Sequence, residues 1–191
     1  ADFNVVNAAI KEQGSFPSSF DFKDPVGITL KGKWADWDLA LGGSGPIIHM
    51  NCVVESGTVS GLGQSGSLAG GKLTIQFSLE QVKVASERVQ DRTAKAGTGT
   101  TIAHQFPRTA ASSGNTVSVM TTNFPNMQDP LLADALQTIF TNYFNAHLAD
   151  IKATFHVMNL NEKADVGDFQ WLKPSAASYA VAHPTTNAPI Y

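Results

Sequence analysis

Carboxylates, histidines and glycine-rich runs are the parts of this 191-residue sequence with the means to do chemistry. Asp36 and Asp38 flank Trp37 and so share one face of an extended segment. A carboxylate pair is the raw material of general acid–base catalysis. The same alternation also describes the solvated outer face of a half-buried strand, and that is the reading adopted. The five histidines, His49, His104, His147, His156 and His183, show neither HExxH nor any paired spacing. Cys52 is the single cysteine, which excludes an internal disulfide and a thiolate zinc site. Gly61, Gly63 and Gly66 spell GxGxxG. A dinucleotide loop needs that string to open a helix, whereas here it precedes an alternating apolar run, so it reads as a flexible turn. Gly43-Ser44-Gly45 lacks the spacing of a nucleophile elbow. No catalytic set emerges, and neither a metal nor another cofactor is expected.

The elements that position these residues centre on Asp129 to Leu160. Asp129 is a suitable N-cap, and Pro130 falls at the first helical position, where its missing N–H is harmless. Leu132, Leu136, Ile139, Phe140, Tyr143, Leu148 and Ile151 recur at steps of three and four. That spacing predicts a helix from about Pro130 to about Ala149, roughly 30 Å long at about 1.5 Å per residue. The period then changes to two, with Phe155 and Val157 opposite His156 and Met158, so a strand follows. So broad an apolar stripe requires a broad partner, and the rest of the chain supplies strands.

Before that unit, Phe3, Val6 and Ile10 share the face of a short helix ending at Gly14. Ser15 to Phe22 reads as an irregular connector whose Phe16, Phe20 and Phe22 tuck under a sheet edge. Strands are expected at Val26–Leu30 and Lys33–Leu41, the second with Trp37, Leu39 and Leu41 on one face. Gly42 to Pro46 is a turn into Ile47–Glu55, which pairs back as a hairpin and continues through Thr58–Leu62. After a glycine-rich connector, Lys72 to Ala85 alternates on one parity through Leu79 and on the other from Val82. A parity switch inside one strand calls for a bulge or sharp bend. Glu87 to Lys95 carries alternating charge and is expected to be solvated. Thr98–Phe106, Asn115–Thr122, Asp168–Pro174 and Ser175–Ala182 complete the expected strands, before a proline-containing tail from His183.

Composition narrows the class. The chain is 42% hydrophobic, enough for a single core, but only 15% charged, a pattern common among secreted or surface β-proteins. A net charge of −3 gives nucleic-acid binding no electrostatic support. No run of eighteen apolar residues is present, as a membrane-spanning helix would need.

Four stretches carry a family resemblance: Val5-Val6-Asn7 with Ile10-Lys11; Trp34, Asp36, Trp37 and Leu39 leading to Gly42-Gly43-Ser44; Ala146 through Asn159-Leu160; and Phe169-Gln170-Trp171-Leu172-Lys173-Pro174 with Tyr179-Ala180. In their order the chain resembles the tubular lipid-binding (TULIP) superfamily, and more closely the OrfX-type accessory proteins encoded beside clostridial botulinum neurotoxin genes. The resemblance implies an α+β fold, a strongly curved antiparallel β-sheet wrapped around a long amphipathic α-helix. Residues 1–191 read as a single TULIP-like domain, trimmed at both ends or one module of a longer protein.

It also implies a secreted, non-enzymatic protein whose partners are a lipid or membrane surface, or the proteins of a toxin complex. In a TULIP groove an acyl chain lies between helix and sheet, which makes Leu136, Phe140, Tyr143 and Phe144 the candidate lipid contacts. The competing reading is that these four are ordinary core and the groove is full, as in a scaffold module without lipid. Lys152 and Lys173 flank the helix–strand unit as candidate headgroup contacts. Trp34 is the candidate membrane or partner contact, since an indole is apolar with a donor that can stay wet. Trp37 reads as core by parity, and Trp171 as packed beside Pro174.

Overall fold

Asp129 opens the principal helix as its sequence position predicts. Its backbone is extended, at φ −85° and ψ 116°, and its carboxylate accepts from the Leu132 N–H at 2.9 Å. The computed structural model describes residues 3–84, 101–111, 114, 116–159 and 180. The segments expected at Glu87–Lys95, Asp168–Pro174 and Ser175–Ala182 lie outside these residues, as do Trp171, Lys173 and the tail from His183, apart from residue 180.

Two α-helices and nine strands are formed by the described residues, in the order α1 (Phe3–Gln13), β1 (Ser19–Lys23), β2 (Thr29–Ala40), β3 (Ile47–Gly61), β4 (Gln64–Ser67), β5 (Lys72–Ser78), β6 (Glu80–Val84), β7 (Thr101–Gln105), β8 (Val117–Asn123), α2 (Pro130–Ala146) and β9 (Thr154–Asn159). Helix α2 is shorter than expected. It stops at Ala146, where the His147 N–H bonds to the carbonyls of Tyr143 and Phe144, and a 3-10 turn over Leu148–Asp150 carries the apolar stripe onward.

Every strand pairing among the described residues is antiparallel. One sheet runs β1-β2-β3-β5-β8, with β4 also on β3; the other runs β6-β7-β9. Three sequence expectations change. Ser19–Lys23 is strand rather than connector, because Phe20 can face the core while the exposed residues on either side pair with β2. The two strands expected at Val26–Leu30 and Lys33–Leu41 are one strand, β2, preceded by a turn at Asp24–Gly27. Leu41 lies beyond its end and is exposed. The parity switch near Leu79 is not a bulge in one strand. It is the point at which the chain leaves the first sheet as β5 and joins the second as β6. Tilted ring contacts join the two sheets, with Phe77 at 4.5 Å from Phe106, just past β7, and 5.9 Å from Phe155 of β9, centroid to centroid.

Helix α2 packs against β8, the edge strand of the first sheet, and its apolar stripe of Leu132, Leu136, Ile139, Phe140, Tyr143 and Phe144 is buried. A second, polar stripe meets the strand edge. Gln137 Nε2 donates to the Val119 carbonyl at 2.9 Å, Thr141 Oγ1 accepts from the Val119 N–H at 3.1 Å, and Asn145 serves Val117. From Thr141 to Asn145 the helix rises about 6 Å while the strand advances about 6.7 Å from Val119 to Val117, so the two keep step across this pair. The helix therefore covers an edge that would otherwise present unpaired backbone groups.

Candidate functional site

The bulged middle of β2 is where the aromatic side chains converge. Pairing with β3 slips twice, between Lys33 and Trp34 and again between Trp34 and Trp37. Residues three apart on a regular strand face opposite ways. With an extra residue inserted between them, Trp34 and Trp37 both turn inward, at 5% and 3% exposure, and meet edge to face at 5.2 Å. Trp37 is core, as its parity predicted. Trp34, the candidate membrane or partner contact, is buried as well; a bulge position cannot be read from residue types alone.

Trp34 in turn touches the α2 stripe. Its ring stacks on Phe144 at 5.9 Å and lies 5.8 Å from Phe140 and 6.1 Å from Tyr143. Phe20 of β1 adds contacts to Trp34, Phe140 and Tyr143, and Phe124 stacks on Phe140 at 5.7 Å. Leu136, Phe140, Tyr143 and Phe144 are thus brought together with Trp34, and all four are at most 3% exposed. Burial pushes the Tyr143 hydroxyl above its ordinary range, so it remains a neutral phenol.

The outer side of the same bulge opens into a cleft of about 290 Å³ between α1 and β2. Ile10, Phe16, Pro17, Trp34 and Trp37 give it an apolar lining, with Phe16 stacked on Trp37 at 4.6 Å. At its rim Lys11 bridges the two carboxylates, 3.2 Å from Asp38 and 3.6 Å from Asp36. The hydrogen bond to Asp38, with its charge, raises the Lys11 pKa. Asp36 and Asp38 therefore form an exposed ion-pair cluster. The indole Nε1 of Trp37 is buried without a hydrogen-bond partner, which is uncommon in a packed interior, while the Trp34 N–H is directed at the Tyr143 hydroxyl and partly offsets the effect of burial on it. An indole is a donor only, so what Trp37 lacks is an acceptor. The backbone of exposed Lys152 bonds to Ser15 beside this cleft. Sequence reasoning missed Lys11 and Phe16 as neighbours of Trp34, because only the bulge brings them together.

The remaining candidates disperse. Gly61 and Gly63 sit in the tight β3–β4 hairpin turn and Gly66 within β4, not at a helix start. Gly43-Ser44-Gly45 forms the β2–β3 turn, where the Ser44 carbonyl accepts from Ile47. His104 and His156 face each other across β7 and β9 at 6.3 Å, and burial followed by the neighbouring His156 lowers the His104 pKa. His147 caps α2 through Nδ1 and the Tyr143 carbonyl at 2.9 Å. Among the described residues no group of three or more His, Cys, Asp or Glu side chains is placed to hold a metal ion. None of their helices is long and apolar enough to cross a membrane.

A family profile described as "OrfX-like: Protein OrfX2/OrfX3/P47" matches residues 2–188. Protein OrfX3 of Paraclostridium bifermentans is 26% identical over 201 residues, an alignment covering 93% of this chain and 39% of that protein. The chain thus spans about two-fifths of its relative's length. Solved structures of P47 share the fold. P47 from Clostridium botulinum A2 superposes with a TM-score of 0.66 at 15% identity, covering 93% of this chain and 39% of that one. P47 of Clostridium botulinum E1 gives 0.65 at 13%, covering 96% and 40%.

Proposed function

Because this chain belongs to the OrfX-like family, we propose that it is a non-enzymatic lipid-binding protein of the tubular lipid-binding type, acting outside the cell as a toxin-associated accessory. On this reading its sheets form a strongly curved surface around α2. The lipid enters from the cleft at the β2 bulge, and the Leu136, Phe140, Tyr143 and Phe144 stripe lies behind Trp34 as the inner wall. The observation that carries the proposal is the cleft itself, with an apolar lining and a lysine at the rim. A phospholipid offers the complement, with chains for the apolar wall and phosphate oxygens for Lys11. Each buried methylene contributes about 0.8 kcal/mol.

Native mass spectrometry of the purified chain, followed by lipid extraction, tests this. A bound species of phospholipid mass is expected, and it should persist in moderate salt, because apolar burial is not screened as surface charge attraction is. A chain that is bare on purification and stays bare after incubation with phospholipid would overturn the reading. That result would favour the second reading, a scaffold module of a toxin complex with a closed groove. The filled interface between α2 and the sheet supports this alternative.

A further inference from the structure

The tip of the β3–β4 hairpin holds a residue that its turn does not favour. Gly61 and Gln64 close a two-residue loop in which Leu62 has φ 56° and Gly63 φ 77°. Positive φ at both loop positions is the pattern for which Asn-Gly is the preferred pair. For a leucine the left-handed region is strained, since its Cβ crowds the following carbonyl. Leu62 is the one non-glycine residue with positive φ among those described. It is also 68% exposed, so the strain brings no compensating burial.

A second apolar tip lies beside it. The last β2–β3 register pair is Thr29 with Ser60, and both the Asp24–Gly27 turn and the Leu62–Gly63 turn project past it at the same end of the sheet. They adjoin closely, because a Cβ on Gly61 would stand 2.9 Å from the Ile28 Cα. Val26, at the crown of the first turn, is 69% exposed. The carboxylate of Asp24 is turned inward and buried, accepting from the Val26 N–H at 3.0 Å and from Asn142 at 2.7 Å, while Lys23 is exposed.

We infer that the Val26 and Leu62 turns form the edge by which this protein docks on a lipid bilayer. Two aliphatic tips with a flanking cation and a withdrawn carboxylate match an interface whose interior is apolar and whose surface is neutral or anionic. The inference rests on the lipid reading above and adds the place where the protein meets the membrane. The tips enter the acyl boundary while the strands behind them stay rigid.

Sedimentation with phosphatidylcholine vesicles, and with vesicles also containing phosphatidylserine, tests it. Leu62→Asn should weaken vesicle binding about tenfold, from loss of one inserted aliphatic side chain. The same variant should melt higher than the parent, because asparagine tolerates the left-handed conformation. A purely structural role for Leu62 would not move binding and stability in opposite directions. Val26→Ser should weaken binding without the gain in melting temperature. Leu41→Ser, an exposed leucine at the other end of β2, should leave binding unchanged. Vesicle binding by Leu62→Asn equal to the parent's, or an equal loss with Leu41→Ser, would overturn the docking edge. So would a parent that binds neither vesicle, or a parent dimer that Leu62→Asn dissociates, which would give the tips to a second copy. Lipid extraction from the same preparations reports separately on the cleft. Extractable lipid with no effect of Leu62→Asn leaves the cleft reading standing without the edge, and the converse leaves the edge without the cleft.

Discussion

Asn145 brackets the peptide of Val117. Its Oδ1 accepts from the Val117 N–H at 3.2 Å and from the Thr116 N–H at 2.8 Å, while its Nδ2 donates to the Val117 carbonyl at 2.6 Å. One side chain thus does for the edge of β8 what a neighbouring strand would otherwise do, and it does so from the polar stripe of α2.

Asn145→Ala should therefore be costly although it removes little apolar surface. It leaves part-buried backbone groups of β8 without partners, each worth about 1–3 kcal/mol when unsatisfied. A loss of about 2 kcal/mol or more in denaturant unfolding is expected. Asn145→Asp, which keeps the acceptor but sets a carboxylate oxygen against the carbonyls of Val117 and Thr141, should be at least as costly at neutral pH. If Asn145→Ala unfolds like the parent, water replaces the side chain and the edge is not sealed by α2.

The apolar stripe gives a second expectation. Leu136 and Phe140 are both 0% exposed, so alanine at either position leaves a cavity. Leu136→Ala or Phe140→Ala should cost about 2–5 kcal/mol. A cost under about 0.5 kcal/mol on that scale would mean that the helix–sheet interface is loose enough to admit a guest. The same melts, repeated with phospholipid, then ask whether the guest restores what the truncation removed.

Residues whose roles are periodic were legible in the sequence, and those whose roles depend on a register slip were not. Asp129 and Pro130 announced α2, and the alternation of Leu73, Ile75 and Phe77 announced β5, because capping chemistry and side-chain period are local properties. The hand-over between sheets near Leu79 showed as a parity switch, yet a bulge and a change of sheet leave the same trace in one strand. Trp34 was opaque for a related reason: whether it faces in depends on how β3 pairs with it. The Gln137, Thr141 and Asn145 stripe is visible at i, i+4 and i+8, but nothing local says that its partner is a strand edge.

Cys52 offers a probe of the same core. Its thiol is fully buried between strands, and burial pushes its pKa well above the ordinary thiol range. The thiolate is the reactive species, so the native protein should be inert to disulfide reagents at neutral pH. Reaction should appear only with denaturant and follow the unfolding curve. Rapid labelling of the folded chain would show that the centre of β3 opens on its own.

Glu80 makes the last prediction, an acid dependence confined to one loop. Its carboxylate accepts from the Arg108 N–H at 2.9 Å, from Thr109 Oγ1 at 3.0 Å and from Gln105 Nε2 at 3.4 Å, tying the start of β6 to the segment after β7. The Arg108 N–H is the main cause that holds its pKa below the ordinary glutamate value; partial burial works against it, and the Thr109 and Gln105 bonds add to the lowering. A carboxyl whose folded pKa is depressed contributes stability that is present above its unfolded pKa. That contribution is lost as pH falls from the ordinary glutamate range through the folded value. Glu80→Gln should remove this part of the acid dependence, so that the stabilities of parent and variant converge as pH drops below about 4.3, the ordinary glutamate value. Urea melts of the two proteins from neutral to acidic pH supply the comparison. Curves that stay parallel through that window would mean that the Glu80 cluster makes no net contribution to folding.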